Sequence, residues 1–369
     1  MIGPRRGRRA GFEVHQFLPS LGWRDAVGTH TLEMRRALAE AGIKGAVYAE
    51  EMHGEFFRTA SPPDAYPGLR SARAGGNVLV YQASTGSHGV VEMLAGRPER
   101  KVVYYHNVTP ARFFEPYVPA AALNLRWGRE ELKVLAPHVR VAMANSEYSA
   151  DELRELGVDD VRVVPPYLPP TVDAEPNPDH AGWLRRTKRG IDVLAVGRVV
   201  PHKGHLHLLR AFAALRGAVD PGARLFVVGA WGPEDYMRAI FRLREQLGAE
   251  QVVFTGSVSE GSLAAHYQEA DVFLSLSEHE GFGLPLIEAM RKGRPVVAYA
   301  GGAVGETLDG SGVLVETLDP PTVAEVVARV AGDPDLQRAI VAGQRRRVAD
   351  LDRLPRDAEV VRAVRDAAG

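Results

Sequence analysis

Twice along the chain, short runs rich in Val, Ile, Phe and Tyr alternate with stretches of helical periodicity, and this double alternation restricts the fold more than any other feature. In the first half the runs are FEVHQFL (12–18), KGAVYAE (44–50), NVLVYQA (77–83), KVVYYHN (101–107), VRVAMAN (139–145) and VRVVPP (161–166). In the second they are IDVLAVG (191–197), RLFVVGA (224–230), QVVFTGS (251–257), DVFLSLS (271–277), RPVVAYA (294–300) and GVLVE (312–316). Helical patterns lie between several of them; HTLEMRRALAEAG, for example, ends on Gly42 as a helix C-terminus should. Such alternation predicts parallel sheets with helices on both faces. The stretch YLPPTVDAEPNPDH (167–180) is rich in Pro and acidic residues, has neither periodicity and reads as a linker. Length agrees, since 369 residues exceed the usual reach of one hydrophobic core. Two α/β halves on one linker imply a cleft, and ligands of such sheets bind outside the carboxyl ends of the strands. Loops that follow strands therefore carry the chemistry.

Composition narrows that chemistry. Apolar residues make up 45% and charged residues 25%, ordinary for a folded globular protein. Lys plus Arg number 45 against 46 Asp plus Glu, so no global field marks a nucleic-acid partner, and none is expected. The absence of cysteine removes disulfides, Cys-ligated zinc and thiol nucleophiles, and fits a reducing cytoplasm. No apolar run reaches the roughly 18 residues of a membrane span, and the stretch after the basic start PRRGRR is too short for a signal-peptide core. Those arginines read most simply as a solvated tail, with peripheral contact to anionic lipid headgroups as the alternative.

Three strand ends hold candidate site residues. After DVFLSLS comes EHEGFGLPLIEAM, in which Glu280 and Glu288 flank a turn of Gly281, Phe282, Gly283 and Pro285. Pro285 suits a first helical turn, the glycines let backbone approach a ligand, and the N–H groups of Phe282, Gly283 and Leu284 would suit an anion. The plain alternative is an acidic residue near a helix N-terminus, which stabilises the macrodipole by about 0.3–1 kcal/mol. After IDVLAVG, Arg198 and Lys203 lie just before the helix that Gly204 opens, where two cations at a strand end form a pyrophosphate pocket. A solvated basic loop is the alternative there. After KVVYYHN, His106 and Asn107 close a strand; a lone histidine in such a place is more often a satisfied surface group than a catalytic one.

Taken together, EGFGLPLIEAM and GRVVPHKG resemble the E-x7-E and GR-x4-KG elements of retaining GT-B glycosyltransferases of family four, and YHNVTPARFF resembles bacterial mannosyltransferase-like members. The resemblance runs from about Gly11 to Leu354. It implies a GT-B fold of two Rossmann-like domains with a cleft between them: an acceptor domain (1–168), a linker (169–186), a nucleotide-sugar domain (187–354) and a C-terminal helix (355–369) crossing back to the first domain. It implies Glu280 at the donor sugar, Glu288 on the ribose hydroxyls, Arg198 and Lys203 on the diphosphate, the amides of Phe282, Gly283 and Leu284 beside it, and His106 at the sugar. The implied reaction moves a hexose, mannose before glucose, from GDP-mannose or a UDP-sugar to a hydroxyl acceptor with retained configuration. It needs no obligatory cofactor; a divalent cation held by the diphosphate is compatible with it. The acceptor is a glycan, a lipid-linked sugar or a small polar molecule.

Some features depart from the family or stay outside its motifs. The loop LPSLGWRDAVGTH usually carries a glycine pair near the donor phosphates, whereas here only Gly28 stands in place, with Arg24, Asp25 and Thr29 as candidate acceptor contacts. Ser146 in ANSEYSADEL is a cap or a ligand, and Glu306 in GGAVGETL reads as structural. Asp350, Leu351 and Asp352 form a DxD pattern that reads as a solvated turn, and His202, His205 and His207 lack metal-ligand spacing. A nicotinamide dehydrogenase is excluded by the lack of GxGxxG after either domain's first strand. A nucleotide-sugar-binding protein without transfer activity and a GT-B nucleotide-sugar epimerase are the remaining alternatives.

Overall fold

The computed structural model describes residues 11–22, 25–68, 76–168 and 173–369. In chain order these form β1 (Val14–Leu21), α1 (Ala26–Glu40), β2 (Val47–Met52), β3 (Val78–Ala83), α2 (Val90–Ala95), β4 (Arg100–Tyr105), α3 (Pro119–Leu135), β5 (Val139–Ala144), α4 (Glu147–Glu155) and β6 (Val161–Val163). There follow α5 (Pro178–Thr187), β7 (Asp192–Val196), α6 (His205–Ala218), β8 (Arg224–Val228), α7 (Glu234–Gln246), β9 (Val252–Gly256), α8 (Glu260–Glu269) and β10 (Val272–Ser275). The chain continues through α9 (Leu284–Arg291), β11 (Val296–Tyr299), α10 (Val304–Leu308), β12 (Val313–Val315), α11 (Pro320–Gly332), α12 (Pro334–Arg353) and α13 (Arg356–Ala368). They fall into two compact units: Met1–Ala111, Ala120–Pro169 and Pro355–Gly369 in the first, Arg112–Pro119 and Pro170–Leu354 in the second.

The first unit holds a six-stranded parallel sheet in the order β2-β1-β3-β4-β5-β6. Its central strands are buried on both faces; every residue of β3, VLVYQA, is buried. The order reverses at β1, which lies between β2 and β3, and such a switch point opens a crevice at the strands' carboxyl ends. Helix α13 belongs to this core. Val360, Ala363, Val364 and Ala367, spaced as one helical stripe, are fully buried among Met34, Val80, Tyr104 and Val141. By area alone, burying a valine of this kind contributes about 1.5–3 kcal/mol.

The second unit repeats the plan with the order β12-β11-β10-β7-β8-β9, reversing at β7. At the amino end of the neighbouring strands β7 and β8, Arg224 donates to Asp192 through Nε at 2.7 Å and Nη2 at 2.6 Å. Burial pushes the Asp192 carboxyl up, and the arginine offsets that only in part.

Local structure departs from the sequence reading in four places. Helix α1 starts at Ala26, four residues before the periodic stretch, because Asp25 caps it by accepting from Val27 N and Gly28 N, both at 3.1 Å. The stretch read as a linker contains α5, whose Asn177 cap and Pro178 at its first turn imitate a loop composition. Asp350 and Asp352 lie in the last turns of α12, where Asp350 accepts from Arg353 at 2.7 Å and Asp352 pairs with Arg291, so the DxD pattern is helix rather than turn. Finally, Arg112–Pro119 joins the second unit, where the Tyr117 ring meets Tyr236 edge-on at 4.8 Å. The basic start PRRGRR lies outside the described residues.

Candidate active site

At the carboxyl end of β7 the backbone turns through Gly197 and the exposed Arg198 into a short 3-10 turn, Pro201–Lys203, then enters α6 at Gly204. Gly204 has φ 68°, and a Cβ on it would stand 2.0 Å from the carbonyl oxygen of Leu276. Only glycine brings this loop so close to the end of β10. The contact is locked by Glu278 N donating to His202 O at 2.8 Å. As a result Lys203 Nζ donates to Glu280 Oε1 at 2.6 Å, although 77 positions separate them in the chain. Their side chains are only 20% and 11% exposed, so the pair is weakly screened and stronger than a surface ion pair.

Glu280 is positioned from behind by loop 301–303. Ala303 N donates to Glu280 O at 2.9 Å, and Gly302, with φ 60°, has no room for a Cβ, which would lie 2.4 Å from the same oxygen. Thr307 Oγ1 donates to Phe282 O, tying the turn to α10. Gly283, with φ 92°, is the N-cap of α9, and no side chain caps that helix. Pro285 has no N–H and Leu286 N donates to Gly283 O at 3.0 Å, so the Leu284 amide is the one that such a cap would have met, and the helix dipole favours an anion there. The sequence had assigned Phe282, Gly283 and Leu284 to this turn; it did not reveal Gly302 or Thr307, although a glycine pair directly after a strand was a visible sign of close approach.

Glu288 lies beyond the first turn of α9, which contains no acidic residue, so macrodipole stabilisation does not account for it. It accepts from the hydroxyl of Tyr267 in α8 at 2.8 Å. Burial pushes its carboxyl above the ordinary carboxylate range, opposed by the tyrosine hydrogen bond. Tyr267 was missed by sequence reasoning because its link to Glu288 is entirely tertiary.

In the first unit, His106 follows β4, its N–H bonded to Ala83 O at 2.9 Å and its carbonyl accepting from Asn145 Nδ2 at 2.9 Å. Its Nε2 meets Gln82 Oε1 at 2.8 Å, and burial lowers its pKa to about 3. The next residue, Asn107, adopts the left-handed φ of 77°, which turns the chain sharply away from the strand. On α1, Gly28 is buried, and a Cβ there would meet Leu21 Cδ1 at 2.8 Å, so any larger residue requires the Leu21 side chain to shift. Asp25 is occupied as the α1 cap, Thr29 is half-buried in the first turn, and Arg24 lies outside the described residues. Ser146 Oγ accepts from Ser149 N at 3.1 Å and is the cap of α4.

Among the described residues no group of three or more His, Asp or Glu is placed to hold a metal ion. His202 and His205 are both kept neutral by burial, with the nearby Lys203 charge acting in the same sense. Among the described residues no helix is long and apolar enough to cross a membrane.

Residues 183–347 match the family described as Glycosyl transferases group 1. A GDP-mannose-dependent alpha-(1-6)-phosphatidylinositol monomannoside mannosyltransferase of Mycobacterium tuberculosis is 35% identical over 193 residues; the match covers 48% of this chain, and the chain spans only 49% of that protein. A D-inositol 3-phosphate glycosyltransferase of Xylanimonas cellulosilytica is 29% identical across 94% of this chain and 93% of its own length. Among solved structures, Anabaena HepE in complex with UDP and glucose superposes with a TM-score of 0.69 at 18% identity, covering 95% of this chain and 98% of that one, a likeness of fold. The chain thus has the two-sheet α/β architecture of GT-B glycosyltransferases, and the segment similar to the group 1 family lies within its second unit.

Proposed function

We propose that this chain transfers a hexose, with mannose from GDP-mannose favoured and glucose from a UDP-sugar next, to a hydroxyl acceptor with retention at the anomeric carbon. The observation that carries the reading is the Lys203–Glu280 pair beside the uncapped, glycine-led start of α9. In this assignment Lys203 and Arg198 hold the diphosphate, the amides of Phe282, Gly283 and Leu284 face it, and Glu288 binds the ribose hydroxyls. Glu280 and, from the first unit, His106 contact the sugar. Gly28 lets α1 approach the donor, while Asp25, Thr29 and Arg24 are assigned to the acceptor.

The chemistry follows from where charge develops. As the bond between the anomeric carbon and the phosphate oxygen breaks, negative charge grows on the leaving diphosphate. One cation at about 4 Å in an effective dielectric near 20 stabilises it by roughly 4 kcal/mol before desolvation. The acceptor oxygen bonds to the same face of the oxocarbenium-like sugar, and its proton passes to the departing phosphate. No protein nucleophile is required. The GDP-mannose-dependent mycobacterial relative supports a GDP-mannose donor, and both it and the Xylanimonas relative support an inositol-bearing acceptor.

Release of nucleoside diphosphate from GDP-mannose and UDP-glucose, measured with and without inositol phosphate or a phosphatidylinositol mannoside, tests this. Acceptor-dependent release with an α-linked product is expected from an α-linked donor. Interconversion of free nucleotide sugars without acceptor would instead identify an epimerase. Donor binding with neither transfer nor slow hydrolysis would identify a binding protein.

A further inference from the structure

The sheet of the first unit carries two glutamines in its interior, Gln16 on β1 and Gln82 on β3, exposed by 1% and 0%. Apolar residues would fill these positions without needing any partner, because a buried amide is tolerated only when its donors and acceptors are met. Here they are met in one continuous line. Gln16 Nε2 donates to the Thr31 carbonyl at 3.0 Å, Gln82 Nε2 donates to Gln16 Oε1 at 2.7 Å, and Gln82 Oε1 meets His106 Nε2 at 2.8 Å. Met34 Sδ lies 3.4 Å from Gln82 Nε2 and can only accept from it.

The direction of this line is set at its far end. A backbone carbonyl accepts and cannot donate, so Gln16 must present Nε2 to Thr31 and therefore Oε1 to Gln82. Gln82 must then present Nε2 to Gln16 and Oε1 to the histidine. An amide oxygen facing imidazole Nε2 requires that nitrogen to carry the proton. Reversing either amide would set two acceptors, or two donors, against each other in a buried site. Among the described residues His106 Nδ1 has no hydrogen-bond partner and is not one of the buried unpartnered atoms, and the residue is half-buried.

We propose that Gln16 and Gln82 are positioning residues that hold His106 as its Nε2–H tautomer, so that Nδ1 is a pure acceptor for a substrate hydroxyl. The inference rests on the reading of His106 as a sugar contact. It assigns His106 a hydrogen-bonding task that needs no change of protonation, and makes it unsuited to act as a general acid. The rings that face His106 are neutral as well: His30 of α1 lies at 5.1 Å edge-on and Tyr104 of β4 at 4.6 Å. The positive charge of Arg356, on α13, acts on His30.

The test reads the ring directly, by nitrogen-15 NMR of the histidine-labelled protein. In the wild type His106 is expected to show one protonated Nε2 and one bare Nδ1, unchanged from pH 8 to pH 5. Gln16→Met leaves Gln82 free to reverse its amide, so both tautomers should appear, with kcat falling about ten-fold for one misdirected hydrogen bond. Gln82→Glu should raise the His106 pKa, giving transfer that fails as pH drops through the new value, where the wild type stays flat. An Nδ1–H wild type, or a Gln16→Met protein with the wild-type tautomer, would overturn the relay even if transfer were normal. A locked tautomer that Gln16→Met releases, in a protein that transfers no sugar, would support the relay and sink the proposed activity instead. Should Gln82→Glu fail to fold, Gln16→Met alone decides.

Discussion

The two units share a sheet plan but differ in the polar groups they set along their strands. In the second, formal charges stand at both ends of the inner strands: Asp192 with Arg224 at the amino end, Arg198, Lys203 and Glu280 at the carboxyl end. In the first, Gln16, Gln82, His30, Tyr104 and His106 form a buried cluster along β1, β3 and β4 in which burial holds both histidines and the tyrosine in their neutral forms, while the carboxylates Glu131 and Glu152 accept from Ser87 and Tyr105. Charge attracts a charged ligand but is costly to bury, whereas neutral donors and acceptors can be enclosed and aimed. Under the proposed function this contrast gives anion binding to the second unit and the aiming of hydroxyls to the first.

Substitutions at four positions would break or sharpen that contrast. The largest effect is expected from Arg224→Met, which leaves Asp192 as an uncompensated buried charge and should cost about 3–5 kcal/mol in urea unfolding. An effect below about 1 kcal/mol, the level of a surface pair, would mean that the charge is not truly buried. Next, Lys203→Ala should lower kcat by about 100- to 1000-fold, equal to 2.7–4 kcal/mol, if the lysine faces developing charge. A larger KM with unchanged kcat would reduce it to a binding contact. In the first unit, Asp25→Ala should remove about 1 kcal/mol of stability through loss of the α1 cap, while Asp25→Asn should retain most of it. If Asp25→Asn abolished transfer with stability intact, the carboxylate would have a role beyond capping.

The smallest effect concerns pH. Because the folded-state pKa of Glu288 is raised, the native protein holds a proton there that the unfolded chain has lost, and stability declines as pH rises through that window. Glu288→Gln should therefore raise Tm at pH 8 but not at pH 4, while weakening donor binding at both. Equal shifts at the two values would show that Glu288 is ionised without cost.

Much of this architecture was legible in the sequence. All twelve strands appear as β-branched or aromatic runs, the inner ones most clearly, since a strand buried on both faces has no polar side to blur it. Boundaries and non-local partners were less legible. The start of α1 was hidden because AVGTH contains a buried glycine and no clear stripe. Helix α5 was hidden because a Pro at its start and an Asn cap also mark loops. Arg198, Lys203, Glu280 and Glu288 could be named from the ends of strands, yet the 2.6 Å approach of Lys203 to Glu280 depends on Gly204 against Leu276, which no local pattern encodes. The line from Gln16 through Gln82 to His106 is the extreme case. Each glutamine is one polar letter in an apolar run, and only strand register makes the two neighbours.

The placement of α13 also bears on how the chain matures as it leaves the ribosome. Domains generally fold in the order they are synthesised, but the four buried side chains of α13 are supplied to the first unit only after all of the second has been made. Until then the nascent first sheet has an open apolar face where Met34, Val80, Tyr104 and Val141 await cover. The second unit needs only the earlier segment Arg112–Pro119 and its own continuous stretch. The unit begun first is thus the one completed last, and its uncovered face is where a chaperone would be needed during translation.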